Sequence, residues 1–105
     1  MDEYVCITVL SKAGEPRPDF AARLSRFWTH LLRTRKADFE KVYAETTSFE
    51  ETREGLSRQY LAKAEVLDVL KAQMQAAGVE HLPLDPDDVY SKYEAIPPEW
   101  MQIEH

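Results

Sequence analysis

Residues 46–67, TTSFEETREGLSRQYLAKAEVL, constrain the fold more than any other stretch, because they can form one long helix or a tight hairpin that feeds a helix. A continuous helix over residues 49–77 would hold 29 residues and run about 43 Å at about 1.5 Å per residue, longer than a domain of this length is wide. It would also bury Gly55 in its interior, at a cost of about 1 kcal/mol relative to Ala. Ser48 followed by Glu51 has the spacing of a capping box and favours that helix. The product would be a small, mostly helical domain.

The hairpin alternative takes Arg53-Glu54-Gly55 as a three-residue loop whose last position uses the freedom of Gly at positive φ. Placing Thr52 opposite Leu56 then sets Glu50 against Arg58 and Glu45 against Lys63, two oppositely charged cross-strand pairs. In that register Val42, Ala44, Thr46, Tyr60 and Ala62 share one face, and Tyr43, Phe49 and Leu61 share the other. The hairpin is the expected form.

Around it the chain alternates element types. Residues 3–11, EYVCITVLS, place Tyr4, Cys6, Thr8 and Leu10 on one side and Val5, Ile7 and Val9 on the other, as in a central strand. After a Gly- and Pro-containing break, Pro18 and Asp19 open a helix with Phe20, Leu24, Phe27 and Leu31 on one face and Trp28 and Leu32 at its margin. Arg23, Arg26, His30 and Arg33 stripe its opposite side. A second helix over AEVLDVLKAQMQAA aligns Val66, Leu70, Met74 and Ala77 and stops at Gly78. Residues 88–96, DVYSKYEAI, supply the last expected strand.

Strand, helix, strand, strand, helix, strand is the ferredoxin-like βαββαβ order. It predicts a single α+β domain over residues 1–96, an antiparallel sheet backed by two helices, followed by a Pro-rich aromatic tail over residues 97–105. With 105 residues there is room for one core. Apolar residues at 44% and charged residues at 30% are the balance of a folded, soluble chain rather than a disordered one.

Charge narrows the partners. A net charge of −6 disfavours nucleic acid, whose binding depends on clustered Lys and Arg. Residues 79–105 hold seven acids against Lys92, whereas residues 17–36 hold Arg17, Arg23, Arg26, Arg33, Arg35 and Lys36 against one acid, Asp19, so the acidic end is expected near the basic helix of its own or a neighbouring subunit. No apolar stretch approaches the roughly 18 residues of a membrane span. The start, MDEYVCITVL, has the look of a mature N-terminus that opens on a strand, and Cys6 has no internal disulfide partner; both fit a cytoplasmic location.

The residues that could carry chemistry do not assemble into a known pattern. Asp85-Pro86-Asp87-Asp88 fails as a calcium loop, because Tyr90 stands where Gly is needed and Ile96 where a bidentate Glu belongs; Asp85 or Asp87 is expected as a turn residue. His30, His81 and His105 lack zinc-site spacing, so neither a metal nor a cofactor is expected. Cys6, in mid-strand, is expected as a small buried hydrophobe, and no serine has a nucleophile-elbow context.

The tail IPPEWMQIEH is different. Pro97 and Pro98 enforce extended backbone before Trp100, Met101 and Ile103, large apolar groups that fold back on the domain or reach a partner. The expected function is regulation or assembly through protein–protein contacts, with a second copy as the simplest partner and Tyr90, Tyr93, Trp100, Met101, Arg23, Arg26 and Arg33 as candidate contact residues. The competing expectation is a cofactor-independent enzyme or small-ligand binder of the dimeric α+β barrel type, with a pocket lined by Tyr4, Trp28, Tyr43, Tyr60 and a hydroxyl from Tyr90 or Tyr93.

Overall fold

A computed structural model describes residues 3–45, 49–53, 55–85, 87, 89–91 and 100–102. Its strands are β1 (Glu3–Leu10), β2 (Tyr43–Glu45), β3 (Glu50–Thr52), β4 (Gly55–Lys63), β5 (Glu80–His81), β6 (Val89–Ser91) and β7 (Trp100–Gln102). The helices are α1 (Arg17–Thr34), the short α2 (Lys36–Phe39) and α3 (Leu67–Ala77), with a single 3-10 turn at Ala64–Val66 leading into α3. The protein is therefore α+β, and the expected hairpin, not a continuous helix, occupies the central stretch.

All strand pairs are antiparallel, in the order β5-β1-β4-β2-β7, with β6 also beside β1 and β3 also beside β4. β1 and β4 form the long central ladder from Tyr4 opposite Lys63 to Leu10 opposite Ser57. Each flanking position is filled by two short strands in place of one. Residues 88–96 thus contribute only Val89–Ser91 to the sheet within the described residues, and β5, α2 and β7 are elements whose two to four residues are too few to show a period.

The hairpin register differs from the expected one in two ways. At the tip Thr52 faces Gly55 and Glu50 faces Ser57, one residue away from the expected pairing; at the base Ala44 faces Tyr60 and Tyr43 faces Leu61, four away. Five residues (45–49) separate Ala44 from Glu50 on one arm, but only two (58 and 59) separate Ser57 from Tyr60 on the other. Neither expected cross-strand register pair is made: Glu50 stands opposite Ser57, and the Tyr43–Leu61 and Ala44–Tyr60 pairs set Lys63 four positions from the level of Glu45. Because side chains alternate with period two, the even displacement keeps Ala44 and Tyr43 on their expected faces while the odd one exchanges faces at the tip. Phe49 consequently packs towards the helices, with its ring 5.3 Å from Phe20 and the Arg58 guanidinium 4.9 Å above it.

The main core lies between the sheet and the helices. Ile7, Val9, Val42, Ala44, Tyr60 and Ala62 meet Phe20, Leu24, Phe27, Trp28, Leu31 and Leu32 of α1, Phe39 of α2, and Leu70 and Met74 of α3. Prolines at the start of α1 suit its first turn, where backbone N–H groups have no helical acceptor. α3 stops at Gly78, whose φ of +71° is the left-handed conformation of a helix end. Ala77, expected on the buried face, is exposed.

Hairpin tip and β1 are tied by one buried side chain. Ser11 donates its backbone N–H to the Leu56 carbonyl at 2.8 Å, and its Oγ accepts the Leu56 N–H at 3.0 Å. Gly55, at φ +121°, brings its Cα so near that a Cβ there would stand 2.8 Å from that oxygen.

Candidate functional site

Alternation along the central strands divides the apolar residues between two faces, and the helices use only one. On the other face Tyr4, Cys6 and Leu61 form a second buried cluster, against which Tyr43 and Trp100 are half-buried. Cys6 and Leu61 are direct cross-strand partners, and Leu61 is flanked on its other side by Tyr43. The Tyr4 and Tyr43 rings meet edge-on with centroids 5.9 Å apart, a favourable aromatic geometry. Trp100 arrives from β7, where its pairing with Glu45 places it at the rim of the same face.

Cys6 is buried in this cluster and fits the expected role of a small hydrophobe. The surroundings are aromatic and aliphatic. Such a patch can bind by burying area and by ring contacts.

Of the candidate contact residues, Trp100 is the one whose side chain is seen in the cluster. Tyr90 lies in β6 at the register position opposite Tyr4, and Met101 lies in β7 opposite Ala44. Tyr93 lies outside the described residues. Arg26 and Arg33 are exposed on α1 together with His30. Arg23 is set apart from them: its Nε and Nη2 donate to the two carboxylate oxygens of Glu15 at 3.0 and 2.8 Å, and the side chains are only 14% and 11% exposed. The Arg23 hydrogen bonds, with help from the Lys12 N–H, hold the Glu15 carboxyl at about 2, well below the usual carboxylate range, against the opposing effect of burial. Arg23 therefore anchors the loop after β1 onto α1.

The aromatic residues that could have lined one pocket fall on opposite faces of the sheet. The Trp28 and Tyr60 rings lie 4.9 Å apart, tilted by 51°, inside the helix-side core, whereas Tyr4 and Tyr43 belong to the other cluster. Burial pushes the Tyr60 phenol above its ordinary value, with Arg58 and then Trp28 acting the other way. The buried Trp28 Nε1 lies near enough to oppose the shift but makes no hydrogen bond of good geometry.

A shallow groove open to solvent runs where α3, the end of β1 and β5 meet, with Asp68, Lys71, Gln75, Glu80 and His81 around Met74. His81 Nδ1 lies 2.7 Å from the Leu82 carbonyl, which makes it the protonated nitrogen. Among the described residues no group of three or more His, Cys, Asp or Glu could hold a metal ion, and no helix is long and apolar enough to cross a membrane. Asp85 accepts the Asp87 N–H at 2.9 Å, the turn role expected of it.

Sequence pattern could bring Tyr4 to Cys6 and Tyr43 to Leu61, since each pair obeys the alternation. It could not bring Trp100 to them, because a three-residue strand carries no periodic signal. Comparisons with protein-family models, with curated proteins and with solved structures find no match to this chain.

Proposed function

We propose that this chain is a small regulatory or assembly protein of ferredoxin-like architecture that acts in the cytoplasm by protein–protein contact, through the sheet face turned away from its helices. Taking β2 with β3 as one interrupted strand, and β5 with β6 as another, turns the observed pairing into the ferredoxin-like order, with β7 added at one edge. In that architecture helices cover one side of the sheet, and the other side carries the Tyr4, Cys6 and Leu61 cluster with Trp100 half-buried at its rim.

The observation that carries the proposal is the position of Trp100. A large ring on a three-residue edge strand is half-buried against Tyr4, Cys6 and Leu61, beside the half-buried Tyr43. Trp and Tyr are the residues that contribute most at protein interfaces, because they remove large area from water while losing few rotamers. The split of the rings between two faces favours this role over a small-ligand pocket.

Trp100→Ala should weaken association, read by sedimentation over a concentration series, more than it lowers the urea midpoint of the isolated fold. Unchanged association at equal folding would remove the basis for the proposal.

A further inference from the structure

We infer that the edge formed by β5 is a docking site for an extended, positively charged segment of another protein, which adds one strand to the sheet and lays a single apolar side chain in the groove beside α3. This contact goes beyond the one proposed above. It lies at a different margin of the molecule and uses none of the Tyr4, Cys6 and Leu61 cluster.

Backbone geometry carries the first step. β5 stands at one end of the strand order and pairs with β1. In an antiparallel pair, levels that exchange hydrogen bonds alternate with levels that do not, and at the latter the N–H and C=O turn away from the neighbouring strand. Leu82 donates its N–H to the Thr8 carbonyl at 2.9 Å, which makes Thr8 and Leu82 a hydrogen-bonded level. Val9 and His81, one position along, are therefore a level of the other kind. The His81 N–H and C=O point out along the open side of β5, where His81 has no strand partner among the described residues.

A free donor and acceptor on a sheet edge are a template for a further strand. Here the template is short. Pro83 has no N–H, and the Val79 N–H already donates to the Met74 carbonyl at 2.8 Å, so His81 is the residue that offers both groups. One residue of the incoming segment bonds it twice.

The side chain of that residue has a defined place. Residues directly opposed across two strands turn their side chains to the same face. Val9 belongs to the core beneath the helices, so His81 opposite it, and the incoming residue opposite His81, both face the helix side. The groove between α3 and β5 lies there, lined by Lys71, Ala72, Met74, Gln75, Val79 and His81. An apolar anchor against Met74, Ala72 and Val79 is removed from water while its own backbone pairs with His81. An edge strand beside a helix thus combines main-chain bonds, which supply affinity, with a side-chain subsite, which supplies selectivity.

Charge identifies the partner. The groove carries Asp68 and Glu80 against Lys71, and the turn after β5 adds the exposed Asp85 and Asp87. Every strand pair in the sheet is antiparallel. In an added strand of the same sense, the residue before the anchor stands opposite Leu82, which is 39% exposed, and the residue after it stands opposite Glu80. The fitting segment therefore reads apolar, apolar anchor, Lys or Arg. A second copy paired edge to edge would bring the same acids against this margin, a like-charge approach that excludes it as a partner.

The test uses the full chain and a short labelled peptide, Ser-Thr-Ile-Leu-Arg-Thr-Lys-Ser, titrated to about 1 mM and followed by fluorescence anisotropy. Saturable binding is expected. Methylating the backbone nitrogen of the peptide Leu removes the donor to the His81 carbonyl and should weaken binding at least several-fold, a loss that adsorption by charge alone does not show. Exchanging that Leu for Ala should weaken it to a similar degree. Glu80→Lys, at an exposed position, should weaken the Arg peptide and strengthen one with Glu in place of Arg. Ala72→Trp, exposed on α3, fills the groove and should block both peptides. Absence of saturable binding overturns the inference, and so does binding that N-methylation and Glu80→Lys leave unchanged. Either result leaves the sheet-face contact standing, because none of these positions belongs to its cluster.

Discussion

Substituting Gly55 by Ala tests the tie between the hairpin tip and β1. Two costs meet at this position. A residue with a Cβ is strained at φ +121°, by about 1 to 3 kcal/mol. The new Cβ would also stand 2.8 Å from Ser11 Oγ, so Ser11 must turn away and abandon the Leu56 N–H that it accepts at 3.0 Å. Leaving that donor without its acceptor costs about 1 to 3 kcal/mol more. Gly55→Ala should therefore destabilise by about 2 to 6 kcal/mol, a large share of the roughly 5 to 15 kcal/mol that holds a domain together. Gly78→Ala is the internal comparison: φ is +71°, nothing lies within 4 Å of the added carbon, and only the conformational cost of about 1 to 2 kcal/mol remains. Ser11→Ala removes both the crowded oxygen and the hydrogen bond. In that background Gly55→Ala should cost only its backbone strain, giving a coupling of about 1 to 3 kcal/mol between the two sites. Urea unfolding of the wild type, the two single variants and the double variant measures each value. Additive costs within about 0.5 kcal/mol, or a Gly55→Ala cost no greater than that of Gly78→Ala, would refute the assigned geometry.

Two further predictions concern pH. The folded-state value of Glu15 lies near 2, below its ordinary 4.5, so the Arg23 pair contributes stability that is complete above about 4.5 and is lost as pH falls towards 2; Glu15→Gln should flatten the urea midpoint across that window, and an unaltered acid profile would exclude the pair as its source. Tyr60 is shifted upwards by burial, so its neutral form stabilises the fold fully below pH 10, and that stability declines at higher pH because the unfolded chain ionises first. Phenolate absorbance should show a component that titrates above the ordinary tyrosine range, and Tyr60→Phe should abolish it; a Tyr60→Phe titration identical to wild type would contradict the assignment.

Local chemistry was enough to determine β1 with its two faces, the buried stripe of α1, the Gly78 stop of α3, the Asp85 turn and a chain reversal near Gly55, though not the expected three-residue loop, since Gly55 pairs with Thr52 and begins β4. Each depends on residues adjacent in sequence, through alternation, helical period or the backbone freedom of Gly. The hairpin register depended on something else. Cross-strand charge pairs such as Glu50 with Arg58 are worth only about 0.2 to 1 kcal/mol. Burying a Phe or Tyr side chain is worth about 1.5 to 3 kcal/mol, and the observed register gives Phe49 and Arg58 to the helix-side core while keeping Tyr60 beside Trp28. Burial against distant helices therefore outweighed the ion pairs, and no pattern within residues 46–67 records where those helices lie. Tertiary structure likewise decided that Arg23 leaves the exposed stripe for Glu15, eight residues away, and that Trp100 reaches Tyr4, Cys6 and Leu61. A strand of three residues acquires its partner only once β2 offers an edge, so its placement follows from the assembled sheet.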